Sequence, residues 1–288
     1  MPRSSRSWLT KCCAPVALRA LLIPLAPAFA DTAAAPAPPD AQQEQQRLAG
    51  DYFVGASVFL FERTVLAAFA PADASPAALD AGAVTLASEN AGDEAGSVAL
   101  DAMTGWLNAW FGADKNGADK TGLGNAPPGF DADRRRGLAC LIFGADPDNR
   151  GDLAQHAGLS SDERDACVTR YTGARKDWEG WLEVYRKPPG SPPTLSAEPA
   201  GAAPEEAAVL RLVFAPTVDE GDQAVADALK ANGLFQVLTD DLNATLTMPR
   251  PMTALLTQCG EPKAFYNADR GEAVLCYEML TALLKAAP

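Results

Sequence analysis

Apolar positions along this chain follow a helical period first and a mixed helix and strand period afterwards, and the change falls at a proline-rich stretch. A helix is expected over 51–70, followed by a loop holding Pro71, Pro76, Gly82 and Gly92. From Ser97 to Phe111, Leu100, Met103, Leu107 and Trp110 recur every three to four residues, so a second helix is expected, with Gly112 able to end it. After a Gly/Asp/Lys-rich loop over 112–129, a helix fits Ala132 to Phe143. Another starts near Ser161, with Asp162 and Glu163 in its first turn and Cys167, Tyr171, Trp178, Leu182 and Tyr185 along one side. Six prolines and Gly190 within 188–206 exclude regular structure there and read as a linker.

Beyond the linker the reading is α/β. Val209 to Phe214 is a short strand, Asp219 to Ala231 and Leu234 to Leu246 are helices, and Thr253 to Gln258 is a second strand. The runs Ala264–Tyr266 and Ala273–Leu275 flank Asn267-Ala268-Asp269-Arg270-Gly271, a hairpin pattern. Tyr277 to Lys285 closes as a helix. The expected class is α+β, with a mostly helical half over 51–187 and a small sheet-containing half over 207–288.

Residues 1–30 read as a secretory signal: Arg3, Arg6, Lys11 and Arg19 precede and enter a short apolar run that ends in Ala28-Phe29-Ala30. Cleavage is expected near Ala30, with a periodic-free Ala/Pro/Gln leader over 31–50 and a periplasmic or secreted destination. The formal charge of −13 becomes about −17 without that basic segment. Such a charge disfavours nucleic acid and anionic membrane surfaces as partners. The most apolar later stretch, Val54 to Ala70, carries Glu62 and Arg63 at its centre, so a buried core helix is expected rather than a membrane span. Four cysteines remain after the signal. An even number in an exported chain points to disulfides, and Cys140–Cys167 with Cys259–Cys276 is the pairing that stays within local units. Their spacing does not suggest zinc, since no CxxC is present.

The run Cys259-Gly260-Glu261-Pro262-Lys263-Ala264-Phe265-Tyr266, closed by Cys276-Tyr277-Glu278, resembles the signature of a family of secreted bacterial zinc metallopeptidases of the HExxH type, whose biological role is unknown. The likeness extends back through Met248-Pro249-Arg250-Pro251 to Leu210–Phe214. Lys263 stands where the family usually has Asn. The helical half resembles the family's closing part, most clearly at Cys140-Leu141-Ile142-Phe143-Gly144-Ala145-Asp146-Pro147. The two halves therefore stand in exchanged order, and the resemblance implies a zincin-like fold in which they either dock to rebuild one circularly permuted domain or are remnants of separate modules.

It also implies a zinc helix near residue 61. HExxH works because two histidines four apart share one helix face, and the Glu between them activates the bound water. Here the matching run is Phe61-Glu62-Arg63-Thr64-Val65. Glu62 takes the general-base position, while Phe61 and Val65 replace both histidines. The acidic third ligand should fall where Gly96 and Ser97 stand, with Asp101 retained nearby. No metal is expected, although the family calls for zinc. Glu62 has two readings: a retained acid/base with a raised pKa, or the favoured one, a carboxylate paired with a basic side chain.

The remaining chemistry is sparse. His156, the one histidine of the chain, is read in a polar surface loop, and no GxSxG elbow accompanies it. Asp146-x-Asp148 opens like a calcium loop but lacks the bidentate Glu. Asn243-Ala244-Thr245 is read as a chance sequon. The expected function is that of an inactive exported relative of the peptidases that binds a peptide or protein, or serves as a scaffold. The competing readings are an active zinc peptidase completed by ligands outside this chain, and a metal-free acid/base pair of Glu62 with Asp101.

Overall fold

The computed structural model describes residues 39–89, 98–115, 129–188 and 208–287. The signal with its cleavage point, the start of the leader, Gly96, Ser97, most of the 112–129 loop and nearly all of the linker lie outside the described residues.

Helix α1 (Pro39–Leu66) is the axis of the molecule. It starts within the stretch read as leader, well before residue 51. From Tyr52 onward nearly every side chain is buried, on all sides of the helix. A helix apolar all round is one enclosed by neighbours, and α1 packs against the helices over 76–89, 98–115, 234–245 and 277–286 and the strands over 264–267 and 272–276. Its crossing with α3 (Val98–Lys115) is close enough that a Cβ on Gly55 would meet the Ala102 carbonyl oxygen at 2.0 Å. Gly112 does not end α3, which runs on to Lys115.

Helix α2 (Pro76–Glu89) replaces the loop expected there. Pro76 starts the helix, where a missing N–H costs nothing, and the Ser75 hydroxyl accepts the Ala78 N–H at 3.1 Å. Gly82 is a packing residue: a Cβ there would lie 2.3 Å from the Trp178 ring. Asp80 of α2 is buried and receives Arg63 Nε at 2.6 Å, Arg134 Nε at 2.8 Å and Arg134 Nη2 at 2.7 Å. It ties α1 and α2 to α4 (Ala132–Ala145), and Arg134 also stacks 4.1 Å from the Phe130 ring centre. A short helix α5 (Gly151–His156) precedes α6 (Ser161–Leu182), which opens on a capping box of Ser160 and Glu163. Glu163, accepting hydrogen bonds from Ser160 and Arg136, has its pKa lowered to about 2. The Cys140–Cys167 disulfide joins α4 to α6.

The second half forms a four-stranded sheet in the order β1-β2-β4-β3. Strands β1 (Leu210–Phe214), β2 (Met252–Thr257) and β4 (Glu272–Cys276) are parallel, and β3 (Ala264–Asn267) runs antiparallel at one edge. Helices α7 (Glu220–Asn232) and α8 (Leu234–Thr245) connect β1 to β2, and α9 (Tyr277–Ala286) follows β4. Gly233, at φ 70°, makes the tight turn between α7 and α8. The Cys259–Cys276 disulfide ties the connection between β2 and β3 to the end of β4. At the other edge, Asn243 of α8 accepts the Leu210 N–H at 2.9 Å and donates to the Leu210 carbonyl at 2.8 Å, satisfying the outward backbone groups of the first residue of β1. That buried double bond leaves the Asn243 amide unavailable for glycosylation.

Both halves share one hydrophobic core. The Phe61 ring of α1 lies 5.2 Å from Phe235 of α8. The chain after α6 also bonds the end of α8, Lys187 N–H to the Thr245 carbonyl at 3.0 Å and Thr247 N–H to that of Tyr185 at 2.7 Å. Among the described residues no helix is long and apolar enough to cross a membrane.

Candidate functional site

The stretch that the resemblance aligns with the zinc helix lies in the middle of α1, against the sheet and α8. Phe61 and Val65 are both fully buried, and Glu62 is 2% exposed. All three side chains are enclosed, and the Phe61 ring packs against Phe235 of α8. The basic partner favoured for Glu62 is not there. Glu62 Oε2 has no hydrogen-bond partner, and Arg63 points instead to Asp80. The charged group that acts on Glu62 is another acid, Asp241 of α8. Burial first, and Asp241 second, hold the Glu62 carboxyl well above the ordinary glutamate range. Burial raises Asp241 as well. Among the described residues no ion pair reaches Glu62, which corrects the ion-pair reading.

Asp241 was not singled out from the sequence, although a signal exists. It stands three residues after Leu238 and seven after Leu234, on the apolar stripe of α8, where a charged side chain is out of place. The Gln223–Asp227 and Gln236–Asp240 pairs, by contrast, sit on exposed faces.

The proposed partner Asp101 does not join Glu62. It is exposed on α3 and paired with Arg150, so the two carboxylates serve different environments. His156 ends α5 rather than lying in a free loop, and its Nδ1 sits 2.9 Å from Asn108 Oδ1. Asp146 accepts the Asn149 side-chain amide at 2.8 Å and pairs with Arg150 at 3.4 Å, which closes that loop without an ion.

These donors do not fit the zinc ion that the family implies. A catalytic zinc needs three protein ligands. A phenyl ring and an isopropyl group supply none, and Glu62 alone offers an oxygen beside a second acid rather than beside imidazoles.

Three other places carry chemistry. The first is the outer edge of β3. Cys276 N–H donates to the Lys263 carbonyl at 3.0 Å, so Lys263 and Cys276 form a hydrogen-bonded pair. By the register of Ala264 with Leu275 and Phe265 with Val274, Phe265 and Asn267 also face the ladder. The backbone groups of Ala264 and Tyr266 then point away from the sheet, and among the described residues no hydrogen bond reaches them. Phe265 is 37% exposed beside this edge, with the Lys263 ammonium 4.9 Å from its ring centre.

The second is the disulfide corner. Glu278, in the first turn of α9, accepts Cys259 N–H at 3.0 Å and Gly260 N–H at 2.5 Å. Its carboxylate and the sulfurs of Cys259 and Cys276 lie within 4.8 Å of one another. A polar cleft of about 580 Å³ also lies between Ser88, Tyr171, Arg175 and Arg186. Its arginines are engaged, Arg175 with Glu179 at 2.7 Å and Arg186 with Glu89 at 2.5 Å. The Tyr171 hydroxyl is 2.6 Å from Ser88 Oγ.

Residues 214–287 match the model of a protein family described as "Putative metallopeptidase". The match runs from the end of β1 through α9 and holds the cysteine block on which the sequence resemblance rests. The helical half lies outside it. No curated protein and no solved structure matches the chain significantly.

Proposed function

We infer that this protein is an exported, non-catalytic relative of the metallopeptidases that binds extended peptide segments by adding them as a strand to β3. One observation carries the reading: Phe61 and Val65 occupy, fully buried, the positions where the family resemblance calls for zinc-binding histidines. A peptidase needs a water-accessible metal or nucleophile. A sealed glutamate with raised proton affinity, next to a second acid, supplies neither.

Peptide binding is supported by the β3 edge. Strand addition draws its affinity from main-chain hydrogen bonds and its selectivity from alternate side chains. Ala264 and Tyr266 offer two N–H and two C=O groups, and Phe265 offers an apolar contact beside them. Export is supported by the two disulfides, which persist in oxidising compartments. The exchanged order of the two halves is read as a permuted version of the family's domain, and the shared core is what supports it.

The test uses a peptide array probed with the full chain, followed by calorimetry on the best ligand. Proline at Ala264 removes an outward N–H without touching the β3–β4 ladder. Ala264→Pro is expected to weaken peptide binding at least tenfold with the fold intact. Equal binding by that variant would refute strand addition. Chelator-sensitive cleavage of a peptide by the purified chain would refute the non-catalytic reading and favour a peptidase.

A further inference from the structure

We propose that Cys259, Cys276 and Glu278 form a redox-gated site for a thiophilic divalent cation such as zinc, closed while the disulfide is intact and opened by its reduction. This inference is independent of the peptide-binding reading and concerns a different place from residues 61–65.

Three donors meet at this corner, the two sulfurs and the Glu278 carboxylate, all within 4.8 Å of one another. Two thiolates and one carboxylate around an open fourth position make a donor set that suits zinc and cadmium. In the oxidised chain both sulfurs are spent on their bond and cannot ligate. Reduction by a dithiol delivers two electrons and two protons, breaks the S–S bond, leaves two thiols and converts the dithiol to its own disulfide. Cation binding then displaces the two thiol protons.

The donors are held in place by contacts that do not depend on the S–S bond. Cys276 ends β4 in register with the hairpin, its N–H bonded to the Lys263 carbonyl at 3.0 Å. Cys259 and Gly260 are pinned through their N–H groups to Glu278. A carboxylate has four lone-pair sites, so two N–H bonds leave capacity for a metal. Cys276 is also the N-cap of α9, a helix of 10 residues, and the positive end of a helix favours a thiolate. Cys276 is buried, while Cys259 and Glu278 are half-exposed, so an ion can reach the donors from one side.

The test uses the full chain with Cys12 and Cys13 changed to Ser, reduced with a phosphine, which makes the same two-electron reduction with water as the proton source. Cadmium is titrated and the ultraviolet thiolate-to-metal charge-transfer band recorded, with near-UV circular dichroism to follow the fold. One cadmium per chain is expected for the reduced protein and none for the oxidised one. The band should vanish in Cys259→Ser and in Cys276→Ser, and persist in Cys140→Ser. Glu278→Gln should bind at least tenfold more weakly. An unchanged band in Cys259→Ser, unchanged affinity in Glu278→Gln, no band in reduced folded protein, or loss of the fold on reduction would each overturn the proposal.

Discussion

Replacing Glu62 with Gln tests the physical centre of the molecule. The substitution keeps the shape and removes the ability to ionise. In the folded chain Glu62 is sealed from water, lacks a hydrogen-bond partner at Oε2 and faces Asp241, so its pKa is raised well above the ordinary value. In the unfolded chain it titrates near the usual ~4.3. Below that value the side chain is protonated in both states and contributes no pH dependence. As pH rises above it, the unfolded chain releases the proton while the folded chain keeps it. Wild-type stability then falls by about 1.4 kcal/mol per pH unit from this residue, until the folded pKa is passed. The amide has its own cost of burial, about 1–3 kcal/mol, but that cost does not vary with pH. Slope is therefore the diagnostic quantity. Urea unfolding followed by tryptophan fluorescence, at steps between pH 4 and 8, should show Glu62→Gln gaining on wild type once the pH exceeds about 4.3, with a slope approaching about 1.4 kcal/mol per pH unit until the folded pKa is passed. Asp241 shifts in the same direction and keeps its own share of the slope in both proteins. Parallel curves would refute the reasoning. A variant that loses ground as pH rises would reveal a basic partner holding the carboxylate charged.

Three further outcomes follow from packing and cross-links. Asp80→Ala strands the Arg63 and Arg134 guanidiniums against one another and should cost about 3 kcal/mol in urea unfolding; a loss under 1 kcal/mol would show that solvent takes over the ion pairs. Gly82→Ala drives a methyl into the Trp178 ring and should cost about 2 kcal/mol, with a changed near-UV dichroism spectrum as the indole moves. Removing the Cys140–Cys167 cross-link by a double Ser substitution releases a loop with a sequence separation of 27 residues, for which loop entropy gives about 3–4 kcal/mol. Unaltered thermal unfolding in that variant would show that the α4–α6 packing suffices alone.

Most of the second half was legible in the sequence because its signals are local. The Asn-Ala-Asp-Arg-Gly turn between β-branched and aromatic runs specified the β3–β4 hairpin, and Asn232-Gly233 punctuated α7 and α8. The start of α4 at Ala132 and the start of α6 at Ser161 were also readable, the latter with Asp162 and Glu163 in its first turn. Helix α2 was not, because Pro76 and Gly82 look like breakers. Only the fold reveals that the proline occupies a first turn and that the glycine makes room for Trp178, ninety-six residues away. Helix α5 was missed for want of length.

The chemistry divides along the same line. Residue identity alone determined that positions 61 and 65 offer carbon where the resemblance calls for imidazole, and that four of the six cysteines lie beyond residue 30. The environment of Glu62 could not be read from identity, since a carboxylate is ionised or protonated according to the solvent and charges around it. Tertiary packing brought Asp241 to it and kept basic side chains away. Tertiary packing also placed Glu278 beside the two sulfurs and brought Asn243 of α8 onto the backbone of Leu210 at the edge of β1. Spacing along the chain records which groups are present; the free energy of each charge depends on neighbours that only the folded arrangement supplies.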